Sequence, residues 1–174
     1  SDLAWCQEND YLLLVDEVQT GVGRTGSLFC FQQYGIQPDA ITFAKGIAGG
    51  LPMSGVLCNE KCRNVLGPGT HATTFGGNPV VLSGAVEILN RLDEEFLKDV
   101  REKGEYIRNK VSSFKDVSEV RGMGLMIGID LKNQKAADVA ARCVENGLLI
   151  LTAKQSLRML PPLTITYDEI DRGL

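Results

Sequence analysis

Apolar and polar positions alternate along this chain in blocks of changing period. Leu12-Leu13-Leu14-Val15, entered from Tyr11 and closed by Asp16-Glu17, is a continuous apolar run of strand length. Such a run predicts a strand buried on both faces of a mostly parallel sheet, delivering Asp16 to the sheet's carboxyl edge. Ser1 to Asn9 precedes it with the spacing of a helix end, Leu3, Ala4 and Cys6 facing a core, and Asn9-Asp10 forms the turn. Ile41-Thr42-Phe43-Ala44 repeats the strand pattern and ends on Lys45, followed by Gly46-Ile47-Ala48-Gly49-Gly50. Two parallel strand ends would present Asp16 and Lys45 to one crevice, where open α/β sheets bind ligands. An exposed ion pair would use the same two residues. A lysine among small, unshielding residues also suits a nucleophilic amine.

Between the two runs, Gly21-Val22-Gly23-Arg24-Thr25-Gly26 spells G-x-G-x-x-G, but Asp16 to Thr20 separate its first glycine from the strand. The dinucleotide fingerprint needs that glycine directly after the strand. The segment is therefore expected to be a flexible surface loop, leading to a short helix over 27–34. Gln37-Pro38-Asp39 is turn chemistry, residues 54–58 form a third strand, and Asn59 caps a short helix through Leu66. In His71-Ala72-Thr73-Thr74-Phe75-Gly76-Gly77-Asn78-Pro79, Asn78 is an N-cap and Pro79 the first helical residue. Hydroxyls and bare amides before a helix suit either a phosphate or a plain turn.

Helical spacing then runs over 80–91 and 93–113. From Val117 the period changes to strand-like alternation over 120–131, a helix spans 135–146 with Gly147 as its stop, and short strands follow at 148–151 and 157–160. The expected organisation is an α/β fold. Residues 1–92 belong to a large domain, 93–116 form a connecting helix, and 117–174 form a small α+β domain. Arg158, ahead of Pro161-Pro162, is an exposed strand residue or a carboxylate clamp.

Composition narrows the function classes. The 174 residues are 44% hydrophobic and 23% charged, with net charge -4, which offers no basic face for a nucleic acid. No apolar run reaches membrane-span length. Five cysteines without a C-x-x-C pair fit reduced thiols in the cytoplasm, and with His71 the one histidine no metal site is expected. Leu12 to Glu17 also has the apolar-then-acidic form of a nucleotidase magnesium strand, yet no G-x-x-x-x-G-K-[ST] accompanies it.

As an ordered set, Asp16-Glu17-Val18-Gln19-Thr20-Gly21, Arg24-Thr25-Gly26, Pro38-Asp39, Lys45-Gly46, Thr74 to Pro79, Arg121-Gly122-Met123-Gly124 and Arg158 resemble the class III pyridoxal-phosphate aminotransferases, over the whole chain. The resemblance implies a C-terminal portion of a fold-type I enzyme, a little under half to half of a member, cut before its last helix. The upstream phosphate loop, ring-stacking aromatic and second substrate arginine of the family are not in this stretch. It implies that Lys45 carries the cofactor, that Asp16 binds its pyridine nitrogen, that Val18 packs on the ring and that Gln19 bonds its phenolic oxygen. Glu17 belongs to the same cofactor-lining tetrad. It further implies that Thr74 reaches the phosphate across a homodimer interface, Thr73 lies near the substrate, and Arg158 grips the substrate α-carboxylate. An amino donor and a 2-oxo acid acceptor are the implied partners. Members acting on acetylornithine, ornithine, succinylornithine and 4-aminobutyrate share these motifs; Gly69-Thr70-His71 and Arg121 to Leu125 lean toward acetylornithine. A P-loop-type nucleotide-binding domain and an inactive binding protein of the same fold are the alternatives.

Overall fold

The structure, a computed structural model, describes residues 2–174. The chain divides into two units: residues 1–23 with 27–94, and residues 24–26 with 95–174.

In the first unit, helix α1 (Asp2–Glu8) leads into strand β1 (Leu14–Asp16), β2 (Ala40–Phe43) and β3 (Gly55–Cys58). β1 and β2 pair in parallel with Asp16 opposite Thr42, and β3 returns antiparallel on the far side of β2. β1 is shorter than its apolar run because Asp39 intercepts that run. Its carboxylate accepts from the Leu13 amide at 2.8 Å, and Asn59 Nδ2 donates to it at 2.7 Å. Among the described residues β1 has one strand neighbour, β2, and Leu12 and Leu14 are exposed. The helices expected over 27–34 and from Asn59 to Leu66 are single 3₁₀ turns, at Cys30–Tyr34 and Glu60–Cys62. Helix α2 (Pro79–Arg91) begins as its sequence spells, with Asn78 Oδ1 accepting from the Val80 amide at 3.0 Å. Its Ala85 packs with Val22, Ile47 and Ala48 to form the unit's small core.

The second unit has a fuller core. Helix α3 (Glu94–Ser112), expected as a connection, contributes Val100, Ile107 and Val111 to a buried cluster with Leu125, Ile127, Ile129 and Leu157. Burial of that stripe is what makes α3 part of this unit. Strands β4 (Val117–Met123) and β5 (Met126–Leu131) form a hairpin, helix α4 (Ala136–Glu145) follows, and β6 (Leu151–Ala153) and β7 (Ser156–Met159) complete an antiparallel sheet of order β4-β5-β7-β6. Gly147 adopts φ +86°, the left-handed stop expected of it. Helix α5 (Tyr167–Gly173) follows β7, started by a capping box in which Thr166 Oγ1 accepts from the Glu169 amide and Glu169 accepts from the Thr166 amide.

The loop 20–26 is also corrected. Gly21, Val22, Gly23, Thr25 and Gly26 are buried, so this is a packed segment rather than a flexible surface loop.

Candidate active site

Parallel pairing of β1 and β2 points both carboxyl ends the same way. Asp16 is the last residue of β1, and Lys45 lies two residues past the end of β2. Asp16 Oδ1 accepts from the Val18 amide at 2.9 Å and from Thr42 Oγ1 at 3.0 Å. These two bonds, and after them the charge of Lys45, hold the Asp16 carboxyl below its usual range. Asp16 is thus an exposed, ionised acid whose Oδ2 accepts no hydrogen bond among the described residues.

Lys45 is presented by its backbone. Its φ of +52° lies in the left-handed region that a non-glycine residue rarely adopts, and such strain clusters at functional sites. A 3₁₀ turn, Lys45–Ala48, follows, with Ile47 and Ala48 buried against α2. Gly84 lets the helix come close, since a Cβ there would sit 3.2 Å from the Ala48 carbonyl oxygen. The turn is therefore anchored by core packing while the Lys45 side chain stays exposed.

The other predicted residues are placed unevenly. Val18 is half-buried and Gln19 exposed, one turn beyond Asp16. Glu17, expected beside the cofactor, is only 1% exposed and spends both carboxylate oxygens inside its own loop, accepting from Thr20 Oγ1 and from the Phe31 amide at 2.8 Å. Its visible role is to brace the segment after β1. Thr73 and Thr74 lie exposed on the turn before α2, and neither makes a hydrogen bond to Asp16 or Lys45. Thr42 and Asp39 were not singled out as site residues from the sequence. Thr42 shows no signal until the register places it opposite Asp16, and Asp39 reads as turn chemistry and as a member of the motif set, with no role of its own.

In the second unit, Arg158 is half-buried on β7 opposite Gly128 and Leu151. Its guanidinium makes no hydrogen bond or ion pair among the described residues, whereas Arg121 on β4 is committed to Asp130 and Ser156. A guanidinium without a protein partner is available to a carboxylate, which it matches in planar geometry.

An ionised acid can hold a protonated ring nitrogen, and an exposed amine can condense with an aldehyde. Both groups that pyridoxal phosphate needs from this part of a protein are thus present, and their donor chemistry fits.

The family profile described as Aminotransferase class-III matches residues 3–174. The chain is 45% identical over 170 residues to an acetylornithine aminotransferase of Haemophilus ducreyi, covering 97% of this chain and 43% of that protein. It is 44% identical to one of Listeria monocytogenes, at 97% and 45%. Among solved structures, N-acetylornithine aminotransferase from Stenotrophomonas maltophilia superposes with TM-score 0.88 at 33% identity, over 99% of this chain and 47% of that one. Ornithine delta-aminotransferase of Plasmodium falciparum gives TM-score 0.88 at 36% identity, over 98% and 47%. The chain therefore spans less than half the length of these relatives.

Proposed function

Because the chain belongs to the class III aminotransferases, we propose that it is the lysine-bearing part of a cytoplasmic pyridoxal-phosphate enzyme that passes an amino group from N2-acetylornithine to 2-oxoglutarate, giving glutamate and an aldehyde, in arginine biosynthesis. The observation that carries this reading is the placement of Asp16 and Lys45 at two adjacent parallel strand ends, with the Lys45 charge felt at Asp16. When bound, pyridoxal phosphate supplies a ring that accepts negative charge from the donor carbon. Asp16 would keep the ring nitrogen protonated, and Thr42 and the Val18 amide hold Asp16 ionised at the strand end. Lys45 would hold the cofactor covalently and, once displaced by the donor amine, its own amine would take up the proton that leaves the donor carbon. Val18 packs on the ring and Gln19 bonds its phenolic oxygen. Arg158 takes the donor's carboxylate, Thr73 lies near the substrate, and Thr74 serves the phosphate of the other subunit in a homodimer. The exposure of Thr74 and of Phe75 beside it supports that last role.

The acetylornithine relatives at 44–45% identity support the donor assignment. Ornithine is a second donor to test, favoured by the 36% identity to the Plasmodium ornithine enzyme. Purified intact enzyme, assayed with each donor and 2-oxoglutarate, should form glutamate fastest from N2-acetylornithine. Faster turnover of ornithine would reassign the donor, and turnover of neither would remove the reading.

A further inference from the structure

Residues 24–26 leave the fold of their neighbours: Gly23 and Ser27 belong to the first unit and these three to the second. Glycines make the packing possible. At Gly124, in the tight turn between β4 and β5 with φ +50°, a Cβ would lie 2.6 Å from the Thr25 carbonyl carbon and 2.8 Å from the Arg24 carbonyl oxygen. At Gly104 of α3 a Cβ would lie 2.1 Å from the Gly124 carbonyl oxygen. Helix, turn and tripeptide are thus stacked backbone on backbone. Arg24 then closes on the turn twice. Its carbonyl accepts from the Leu125 amide at 3.0 Å, and its Nη1 donates to the Leu125 carbonyl at 3.1 Å. The same Nη1 donates to the Pro161 carbonyl at 2.5 Å.

This last bond is the informative one. Pro161 lies just beyond the end of β7, three residues after Arg158, and as a proline it has no amide with which to anchor that exit itself. Arg24 is partly buried, and burial lowers its pKa with no carboxylate acting against it. A desolvated cation held by carbonyls alone is costly to maintain, and packing by an apolar side chain would be cheaper if filling space were the only need. Leu125, its other partner, is fully buried in the core, so the guanidinium ties the strand exit to a fixed point.

We propose that Arg24 is a positioning residue for Arg158: by fixing the Pro161 carbonyl it sets where β7 ends and how the Arg158 guanidinium is offered to a substrate carboxylate. The inference rests on the reading that Arg158 binds that carboxylate. It is tested in the intact holoenzyme by steady-state kinetics with N2-acetylornithine and with its decarboxylated counterpart, N-acetyl-1,4-diaminobutane. Arg24→Ala should raise KM for acetylornithine about tenfold with kcat within about twofold, and leave KM for the decarboxylated donor unchanged. Arg24→Lys, whose nitrogen falls about one bond short, should lie between. Adding Arg24→Ala to Arg158→Ala should raise KM no further, because the two act through one contact. Equal KM increases for both donors, or additive effects in the double variant, would overturn the proposal. So would loss of a cooperative melt in both Arg24→Ala and Arg24→Lys, which would make Arg24 a folding residue. Arg158→Lys is the separate control: if it does not discriminate the two donors, the assignment of Arg158 fails, whatever Arg24 does.

Discussion

Ile127 and Leu14 are both branched aliphatic residues in short strands, yet Ile127 is 1% exposed and Leu14 65%. The contrast extends to their units. The second unit closes nine buried residues into one cluster between α3, the four-stranded sheet and α5. The first gathers only Val22, Ile47, Ala48 and Ala85, and leaves Leu12, Leu14, Val56, Leu57 and Phe75 in solvent. The unit that carries Asp16 and Lys45 is therefore the one with the smaller buried cluster and with more large apolar side chains in solvent among the described residues. The packing that fixes Lys45 is confined to a few side chains behind its turn.

Core truncation should separate the units most sharply. Ile127→Ala is expected to cost about 2–5 kcal/mol, the transfer term plus the cavity left behind. Leu14→Ser in the 174-residue chain should change stability by less than about 0.5 kcal/mol, with improved solubility as an apolar edge is removed. Denaturant midpoints of the two variants check this, and a larger loss from Leu14→Ser would break the contrast.

Asp16→Asn probes the other half of the division. Removing the charge at nearly constant shape should cost the intact enzyme about 3 kcal/mol of transition-state stabilisation, from loss of a charge-assisted contact. That is rather more than a hundredfold in turnover. The melting midpoint should hardly move, because Asn can still accept from Thr42 and the Val18 amide. Normal turnover would remove Asp16 from the chemistry.

A smaller effect is expected from pH. In the second unit, Arg121 and Ser156 hold Asp130 low, the Thr166 cap holds Glu169 low, and Lys110 and Tyr106 hold Asp171 low. A carboxyl depressed by folding binds fewer protons folded than unfolded. Its contribution is thus complete above the ordinary carboxylate pKa of about 4 and lost as pH falls through the depressed values. Lys110 is raised by its bonds to Asp171 and Tyr106, so its share is complete below the ordinary lysine pKa and lost as pH rises through the raised value. These groups are largely exposed, so each share is small. An acid titration of the melt in Asp171→Asn should be flatter below about pH 4 than in the parent; an unchanged profile would discard the linkage.

Much of this arrangement was legible in residue order. The apolar runs before Asp16 and Lys45 predicted parallel strand ends, Asn78-Pro79 predicted the start of α2, and Gly147 the stop after α4, because each signal is local. Thr166-Tyr167-Asp168-Glu169 also spells a capping box, a local signal for the start of α5. What stayed hidden depends on distant partners. Arg24-Thr25-Gly26 looks like part of a free glycine loop until Gly124, about a hundred residues away, is seen packed against it. Glu17 reads as a neighbour of Asp16 in any cofactor contact, and only the Thr20 and Phe31 bonds show it turned inward. Leu14 reads as core because periodicity reports an apolar strand and not which other elements cover it.

The central claim, that Lys45 at the end of β2 is the cofactor lysine, is tested most directly by chemistry on the intact holoenzyme. Borohydride reduction followed by peptide mapping should place the pyridoxyl group on Lys45. Recovery of the label on any other lysine, with Lys45 unmodified, would contradict it.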